Sequence, residues 1–174
     1  MVPTGYRLGA LVLANFGDGA ALTVDGVPVG RDFVAEGWKA ARDEPDGSCI
    51  VVLATDAPLS SRQLQRLATR AGLGLARTGS VAHHGSGEIF VAFSTGARMS
   101  RTPDTNIFHR NLMRNEVLNP FFTAAVEATE EAVINCLVAA DTVTGRDGNV
   151  ATGIPLDRLT AIMRRHNRLH PHHH

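Results

Sequence analysis

Polar side chains that are suited to catalysis stand at the ends of three predicted strands. Asn15 follows the first apolar run of the chain, and Ser48 directly precedes the most apolar run. Ser86 and Glu88 lead into a third run. In a layered α/β protein, strand ends gather groups from distant parts of the chain, so these residues are candidates for one site. Each also has a plain structural interpretation, because Ser, Asn and Gly are common in turns.

The strands that would position these residues are visible as short apolar runs. Residues 7–14 and 88–94 each predict a strand, and residues 49–54 are rich in β-branched side chains, as in a strand buried on both faces. Residues 21–29 carry an Asp-Gly turn signal between apolar segments and predict a hairpin. Residues 35–47 are polar and contain Pro and Gly, which indicates an exposed loop.

Three helices complete the pattern. The first is amphipathic, is capped by Ser60 or Ser61, and ends at the glycines of residues 72–74. The longest opens at Pro120 and presents a face of small residues, which permits close packing. The last spans residues 155–166. The order of strands and helices predicts mixed α/β layers.

Length and charge limit the classes of function. With 174 residues the chain is long enough for one domain with a sizeable core. The 17 basic and 17 acidic residues balance, so nothing favours nucleic acid or an anionic membrane as a partner. No apolar stretch approaches the roughly 20 residues of a membrane span, and the first residues lack the pattern of a signal peptide. We therefore expect a cytoplasmic protein, and small uncharged or zwitterionic ligands remain open.

The cysteines and histidines have plain interpretations. Cys49 and Cys136 lie in apolar surroundings without CxxC spacing, which predicts buried reduced thiols. A metal site is an alternative for the histidines, but adjacent residues in a loop and a terminal cluster lack the spacing of a closed site. The tail is expected to be solvated and disordered. The histidines concerned are His83, His84, His170, His172, His173 and His174.

Five stretches of the chain match a known family in order. They are ANFGD (14–18), DGSCIVVLATDAPLSSRQLQRLA (46–68), GLGLARTGS (72–80), SGEIFVAFSTG (86–96) and NPFFTAAVEATEEAVINCLVAADTVTGRDG (119–148). Together they resemble the P1 peptidases, also named family S58, which include the L-aminopeptidase/D-amidase/D-esterase and the β-aminopeptidases. The match covers nearly the whole chain in register, so it is far more specific than a single motif.

The resemblance implies an autoproteolytic serine hydrolase with an αββα sandwich, akin to the N-terminal nucleophile hydrolases but with different strand connectivity. Such a precursor cuts itself at a Gly-Ser bond, which here is Gly47-Ser48. Residues 1–47 would then be the C-terminal end of the α subunit and residues 48–174 the β subunit, both parts of one domain. The resemblance further implies small peptide, amide or ester substrates, homo-oligomeric assembly, and neither a metal nor an organic cofactor.

The same match assigns a role to each candidate residue. Ser48 would supply both the nucleophilic hydroxyl and a new α-amino group, whose ordinary pKa of about 7.7 to 8.0 suits proton transfer at neutral pH. Ser86 and Glu88 align with the serine and glutamate that complete the catalytic set. Two residues apart on an extended segment, they point to the same face. Asn15 aligns with the asparagine that donates to the oxyanion.

Three further alternatives remain open. Cys49 is a rival nucleophile if cleavage falls after Ser48, although buried thiols are usually inert. The ornithine acetyltransferases also cut themselves, but they use threonine at the new terminus. The family's precursors carry a long N-terminal portion with no counterpart here, so we expect a fragment or a truncated reading frame. Such a chain is either part of an active peptidase or an inactive body that only folds and associates.

Overall fold

A small mixed sheet forms the centre of the molecule. A computed structural model of the chain describes residues 5–38, 47–96, 98–102, 106–107 and 109–169. The three strands of the sheet are β1 (Leu8–Asn15), β2 (Ser48–Thr55) and β3 (Gly87–Ser94), with β2 in the middle. β1 pairs antiparallel with β2, and β3 pairs parallel with β2. The three strands thus confirm the three apolar runs that the sequence predicts as strands.

The described residues cover only one face of the sheet. Along β2, the buried residues Cys49, Val51 and Leu53 alternate with residues of the other face, where Ile50 is 37% exposed. The prediction that this strand is buried on both faces is therefore wrong for the described structure. The reason is that the described helices that pack on the sheet all lie on the side of the buried alternate residues.

The longest helix lies against β1. It is α4 (Asn119–Ala139), and Pro120 lies in its first turn, as predicted. Its buried residues Phe121, Ala125 and Val133 join the main core, and Cys136 Sγ donates to the Val12 carbonyl at 3.6 Å. The small side chains of this helix allow that close approach to the strand. Cys136 is half-buried, whereas Cys49 is buried, and both are free thiols.

Two shorter helices follow β2, where the sequence predicts one. They are α2 (Ser61–Ala68) and α3 (Ala71–Arg77). Ser60 caps α2 through a capping box with Gln63, which confirms one of the two predicted caps. The glycines at 72–74 do not end the helix, because they lie inside α3. A Cβ on Gly74 would come within 2.6 Å of Thr129 Cβ, so this glycine permits close contact with α4.

The predicted hairpin over residues 21–29 is confirmed only at its Asp25-Gly26 turn, which reciprocal hydrogen bonds between Val24 and Val27 close, and its strands do not extend further. Only one bridge joins Val24 and Val27, and the chain then enters α1 (Val29–Ala35). Val29 and Phe33 are fully buried in a second, smaller core against α5 (Leu156–Arg165). A helix forms here because Val29 and Phe33, which are four residues apart, lie on one helical face and pack against α5 from the far end of the chain.

The segment between α4 and α5 contains a small hairpin that the sequence does not predict. β4 (Val143–Thr144) pairs with β5 (Val150–Ala151) around a 3₁₀ turn at Arg146–Gly148. The last predicted helix is confirmed as α5. Of the predicted loop over 35–47, residues 39–46 lie outside the described residues. Within the described ranges, no helix is both long and apolar enough to cross a membrane.

Candidate active site

Three of the strand ends meet in one row at an edge of the sheet. The pairing register sets Asn15 beside Ser48 and Ser48 beside Gly87. Gly87 stands between Ser86 and Glu88 in the chain. The residues that the sequence singles out, which are up to 73 positions apart, therefore converge at the start of β2 and β3.

A hydrogen bond joins two of these residues directly. Ser86 Oγ donates to Glu88 Oε1, and both side chains are partly buried. The Ser86 amide donates to the His83 carbonyl at 2.8 Å, which fixes the turn that leads into β3. The predicted common orientation of Ser86 and Glu88 is thus observed, and the carboxylate holds the hydroxyl.

The sheet separates Ser48 from Glu88. A Cβ built on Gly87 would lie 3.1 Å from Ser48 Oγ, so the serine hydroxyl lies over Gly87 on the open face. The next pair in the register is Cys49 with Glu88, and strand alternation places it on the helix-covered face. The sequence pattern alone did not reveal this separation, because it depends on how β2 and β3 align.

Cys49 is a poor candidate for the nucleophile, the role that it would have if cleavage fell after Ser48. The side chain is 1% exposed. Burial raises the pKa of the thiol to about 11, and the negative charge of Glu88 contributes to the increase. At neutral pH the group is a protonated thiol, and the thiol form is a poor nucleophile.

Gly47 occupies a position that only glycine fits. Its φ is +150°, a conformation that L side chains rarely adopt. A Cβ at this residue would overlap the carbonyl oxygen of Asn15 and lie 2.8 Å from Phe16 Cα. The backbone before Ser48 is therefore pressed against the end of β1. The sequence shows a glycine here but not the contact that requires it.

A cavity of about 480 Å³ adjoins this end of β1. Its walls include Asn15, the strip 16–19, Trp38 and the end of α4. The Trp38 Nε1 atom is buried and has no hydrogen-bond partner among the described residues. The volume lies within the range of small-molecule sites. Sequence reasoning missed the cavity, because its lining comes from segments that are far apart in the chain.

The open face of the sheet is strongly apolar. Leu11 is 71% exposed, Leu13 66%, Ile89 57% and Phe93 46%. By strand alternation, these side chains project from the same face as Asn15 and Ser48. An exposed apolar patch of this kind is typical of a surface that contacts another protein segment or a ligand.

The described residues contain no group of three or more potential metal ligands among His, Cys, Asp and Glu. His83 and His84 are exposed. The tail histidines, in the range 170–174, lie outside the described residues.

Comparison with known sequences points to one family. The profile of the family described as Peptidase family S58 matches residues 1–151. The beta-peptidyl aminopeptidase BapA of Sphingosinicella microcystinivorans is 42% identical over 176 residues, which cover 94% of this chain and 44% of that protein. The enzyme of the same name from Sphingosinicella xenopeptidilytica is 39% identical over 180 residues, with 92% and 43% covered.

Solved structures agree with the predicted fold class. A protein of Pyrococcus horikoshii OT3 superposes with a TM-score of 0.84 at 46% identity, covering 94% of this chain and 44% of that one. The L-aminopeptidase D-Ala-esterase/amidase of Ochrobactrum anthropi, described as a variant of the Ntn hydrolase fold, has a TM-score of 0.82 at 38% identity, covering 95% and 45%. The chain thus has an incomplete fold of this class, and it spans less than half the length of these relatives.

Proposed function

Because the chain belongs to peptidase family S58, we propose that it carries the nucleophile of an autoproteolytic serine aminopeptidase or amidase. The observation that supports the proposal is the row formed by Asn15, Ser48 and Gly87 beside the hydrogen-bonded pair Ser86 and Glu88. A hydroxyl, an amide side chain and an oriented carboxylate at one strand edge are the groups that acyl transfer needs.

Cleavage of the Gly47-Ser48 bond would free the α-amino group of Ser48. In the uncut chain, strand alternation keeps the Ser48 hydroxyl and the Glu88 carboxylate on opposite faces. Once the bond is cut, the first residue of β2 is held by one peptide bond only and can rotate. The new amine can then approach the pair formed by Ser86 and Glu88, where the carboxylate stabilises its positive charge.

The mature site would hydrolyse its substrate in two steps. Ser48 Oγ attacks the substrate carbonyl, and its proton passes through the α-amino group to the leaving amine or alcohol. The Asn15 side-chain amide donates to the oxyanion. Water then attacks the acyl-enzyme, releases the N-terminal residue of the substrate and restores the Ser48 hydroxyl.

The relatives suggest the substrate class. Two are named beta-peptidyl aminopeptidases and one an L-aminopeptidase with D-Ala-esterase/amidase activity. From these names we infer only that the substrate of this protein is a small peptide, amide or ester from which an N-terminal residue is released.

The open apolar face would be covered by the rest of the α subunit. The relatives are more than twice as long as the chain, and the exposed side chains on this face need a covering layer. We propose that the covering layer comes from that portion and that the complete protein is a homo-oligomer in the cytoplasm.

The test follows both chain cleavage and hydrolysis. The chain is incubated alone and with a purified N-terminal portion of a family relative, and fragments are identified by mass spectrometry. We expect two fragments that meet at Gly47 and Ser48, and hydrolysis of amino-acid p-nitroanilides. Ser48→Ala should abolish both, whereas Ser61→Ala, which changes a serine at the start of α2, should abolish neither. Cleavage that persists at the same bond in Ser48→Ala would contradict the proposal.

The open face also supports a second candidate, an inactive body that only associates. This reading predicts an intact chain that persists for days with the added portion present, and binding of that portion without hydrolysis. The same mass spectra therefore separate the two candidates.

A further inference from the structure

The carbonyl group of the proposed cleavage site has a hydrogen-bond donor. The Gly87 amide donates to the Gly47 carbonyl oxygen at 3.2 Å, at the point where β2 and β3 begin to pair. This oxygen belongs to the peptide bond that joins Gly47 to Ser48. Its position is therefore set by the same ladder that aligns Ser48 with Gly87.

The Ser48 side chain accounts for the presence of glycine, rather than a larger residue, at position 87. Gly87 is absent from the described glycines with positive φ, so its backbone conformation suits any residue. A Cβ there would lie 3.1 Å from Ser48 Oγ and 3.8 Å from Ser48 Cβ, and would meet no other heavy atom of the described residues within 4 Å. The single neighbour that a side chain at position 87 would disturb is therefore the Ser48 side chain.

These two observations point to the same step. We infer that Gly87 positions the chain for self-cleavage: its amide donates to the oxyanion that develops on the Gly47 carbonyl, and its bare Cα leaves room for the Ser48 hydroxyl. The inference rests on the proposed function and adds a donor for maturation, distinct from the Asn15 side chain assigned to substrate hydrolysis.

Self-cleavage of the Gly47-Ser48 bond proceeds as an N-to-O acyl shift followed by hydrolysis. Ser48 Oγ forms a bond to the Gly47 carbonyl carbon, and the electron pair of the C=O bond moves to the oxygen that Gly87 N–H contacts. When the carbonyl re-forms, the C–N bond breaks, and the hydroxyl proton ends on the Ser48 nitrogen. Water then hydrolyses the ester to a Gly47 carboxylate and a free Ser48 hydroxyl.

A matched pair of glycines separates positioning from general effects on the strand. Gly87→Ala adds a methyl group beside the Ser48 hydroxyl. Gly9→Ala adds one on the same open face, in β1, where no atom lies within 4 Å. We expect Gly87→Ala to slow the appearance of the two fragments at least about tenfold, because small misplacements of reacting groups are costly. Gly9→Ala should cut at the parent rate, and both variants should unfold at the parent temperature.

The donor itself is tested by replacing Gly87 with glycolic acid, which exchanges the amide N–H for an ester oxygen and adds no side chain. Loss of one oxyanion donor typically slows a reaction by about 10² to 10³, and we expect a decrease of this order in the cleavage rate. Hydroxylamine, which captures the ester of the acyl shift, gives a second readout of the same step.

The outcomes distinguish a failure of the role inferred for Gly87 from a failure of the proposed function. Cutting of both position-87 variants at the parent rate, or equal slowing by Gly9→Ala, would overturn the role of Gly87 while leaving the proposed function intact. A parent chain that stays uncut at Gly47-Ser48, even in hydroxylamine and with the N-terminal portion added, would overturn both.

Discussion

Ser48 and Cys49 are adjacent in the chain, yet their side chains lie on opposite faces of the sheet. Ser48 Oγ lies over Gly87 on the open face, whereas Cys49 is buried beneath the helices and feels the charge of Glu88. Strand alternation thus divides the candidate groups into an open side, with Asn15 and Ser48, and a covered side, with Cys49 and Glu88.

Asn15→Ala should slow hydrolysis by the mature enzyme about 10² to 10³-fold, because an oxyanion donor acts mainly in the transition state. KM should change little. Steady-state kinetics on a p-nitroanilide substrate measures both parameters. Asn149→Ala, which changes an exposed asparagine in the turn between β4 and β5, serves as the control. A change confined to KM would contradict an oxyanion role.

The Cys49 thiol should make the folded state sensitive to alkaline pH. The pKa is raised from 9.0 to about 11 in the folded chain. Above pH 9 the unfolded state therefore binds fewer protons than the folded state, and stability falls as the pH rises from about 9 to 11. The shift corresponds to a decrease of about 2 to 3 kcal/mol. Denaturant unfolding should show this decrease in Cys136→Ala but not in Cys49→Ala.

Glu88→Gln should lower the pKa of Cys49, because the variant removes a negative charge that opposes ionisation of the thiol. The pKa should still stay above 9.0, since burial is the larger cause of the shift. Iodoacetamide alkylation followed against pH in a Cys136→Ala background reports the change. Glu130→Gln, which alters a glutamate paired with Arg77, should leave the alkylation profile in place.

Two glycines of α3 should respond in opposite directions to alanine. A Cβ on Gly72 would meet only Phe90 ring atoms at 3.4 Å or more, so Gly72→Ala should stabilise the fold by about 0.5 to 1 kcal/mol through helix propensity. A Cβ on Gly74 would lie 2.6 Å from both Thr129 Cβ and the Val126 carbonyl oxygen. Gly74→Ala should therefore destabilise the fold by about 1 to 3 kcal/mol. Equal stabilities in urea unfolding would contradict this packing.

The open face should drive self-association of the chain when the proposed covering layer is absent. Val91→Lys and Leu13→Lys place charges on this face and should reduce the apparent mass in light scattering. Leu73→Lys changes an exposed leucine of α3, on the helix side of the sheet, and should have no such effect. Association that is unchanged in all three variants would show that this face is not the contact surface.

Much of the fold is predictable from local patterns. The apolar runs that became β1, β2 and β3 and the small-residue pattern of α4 are strong periodic signals, and the Ser60 cap depends on residues within one turn. The errors occur where distant partners decide. Val29 and Phe33 join a helix because α5 covers them, and Gly74 lies inside α3, where it permits the close approach of Thr129 of α4.

The sequence alone determined which residues are candidates: Asn15, Ser48, Ser86 and Glu88 are strand-end groups whose identity and flanking motifs are readable without coordinates. The tertiary structure decided their arrangement. The register between β2 and β3 put Ser48 over Gly87 and Glu88 beside Cys49, and a one-residue slip would have exchanged the faces. Register depends on the packing of whole strands against helices from elsewhere in the chain, so no local pattern at residue 48 or 87 contains it.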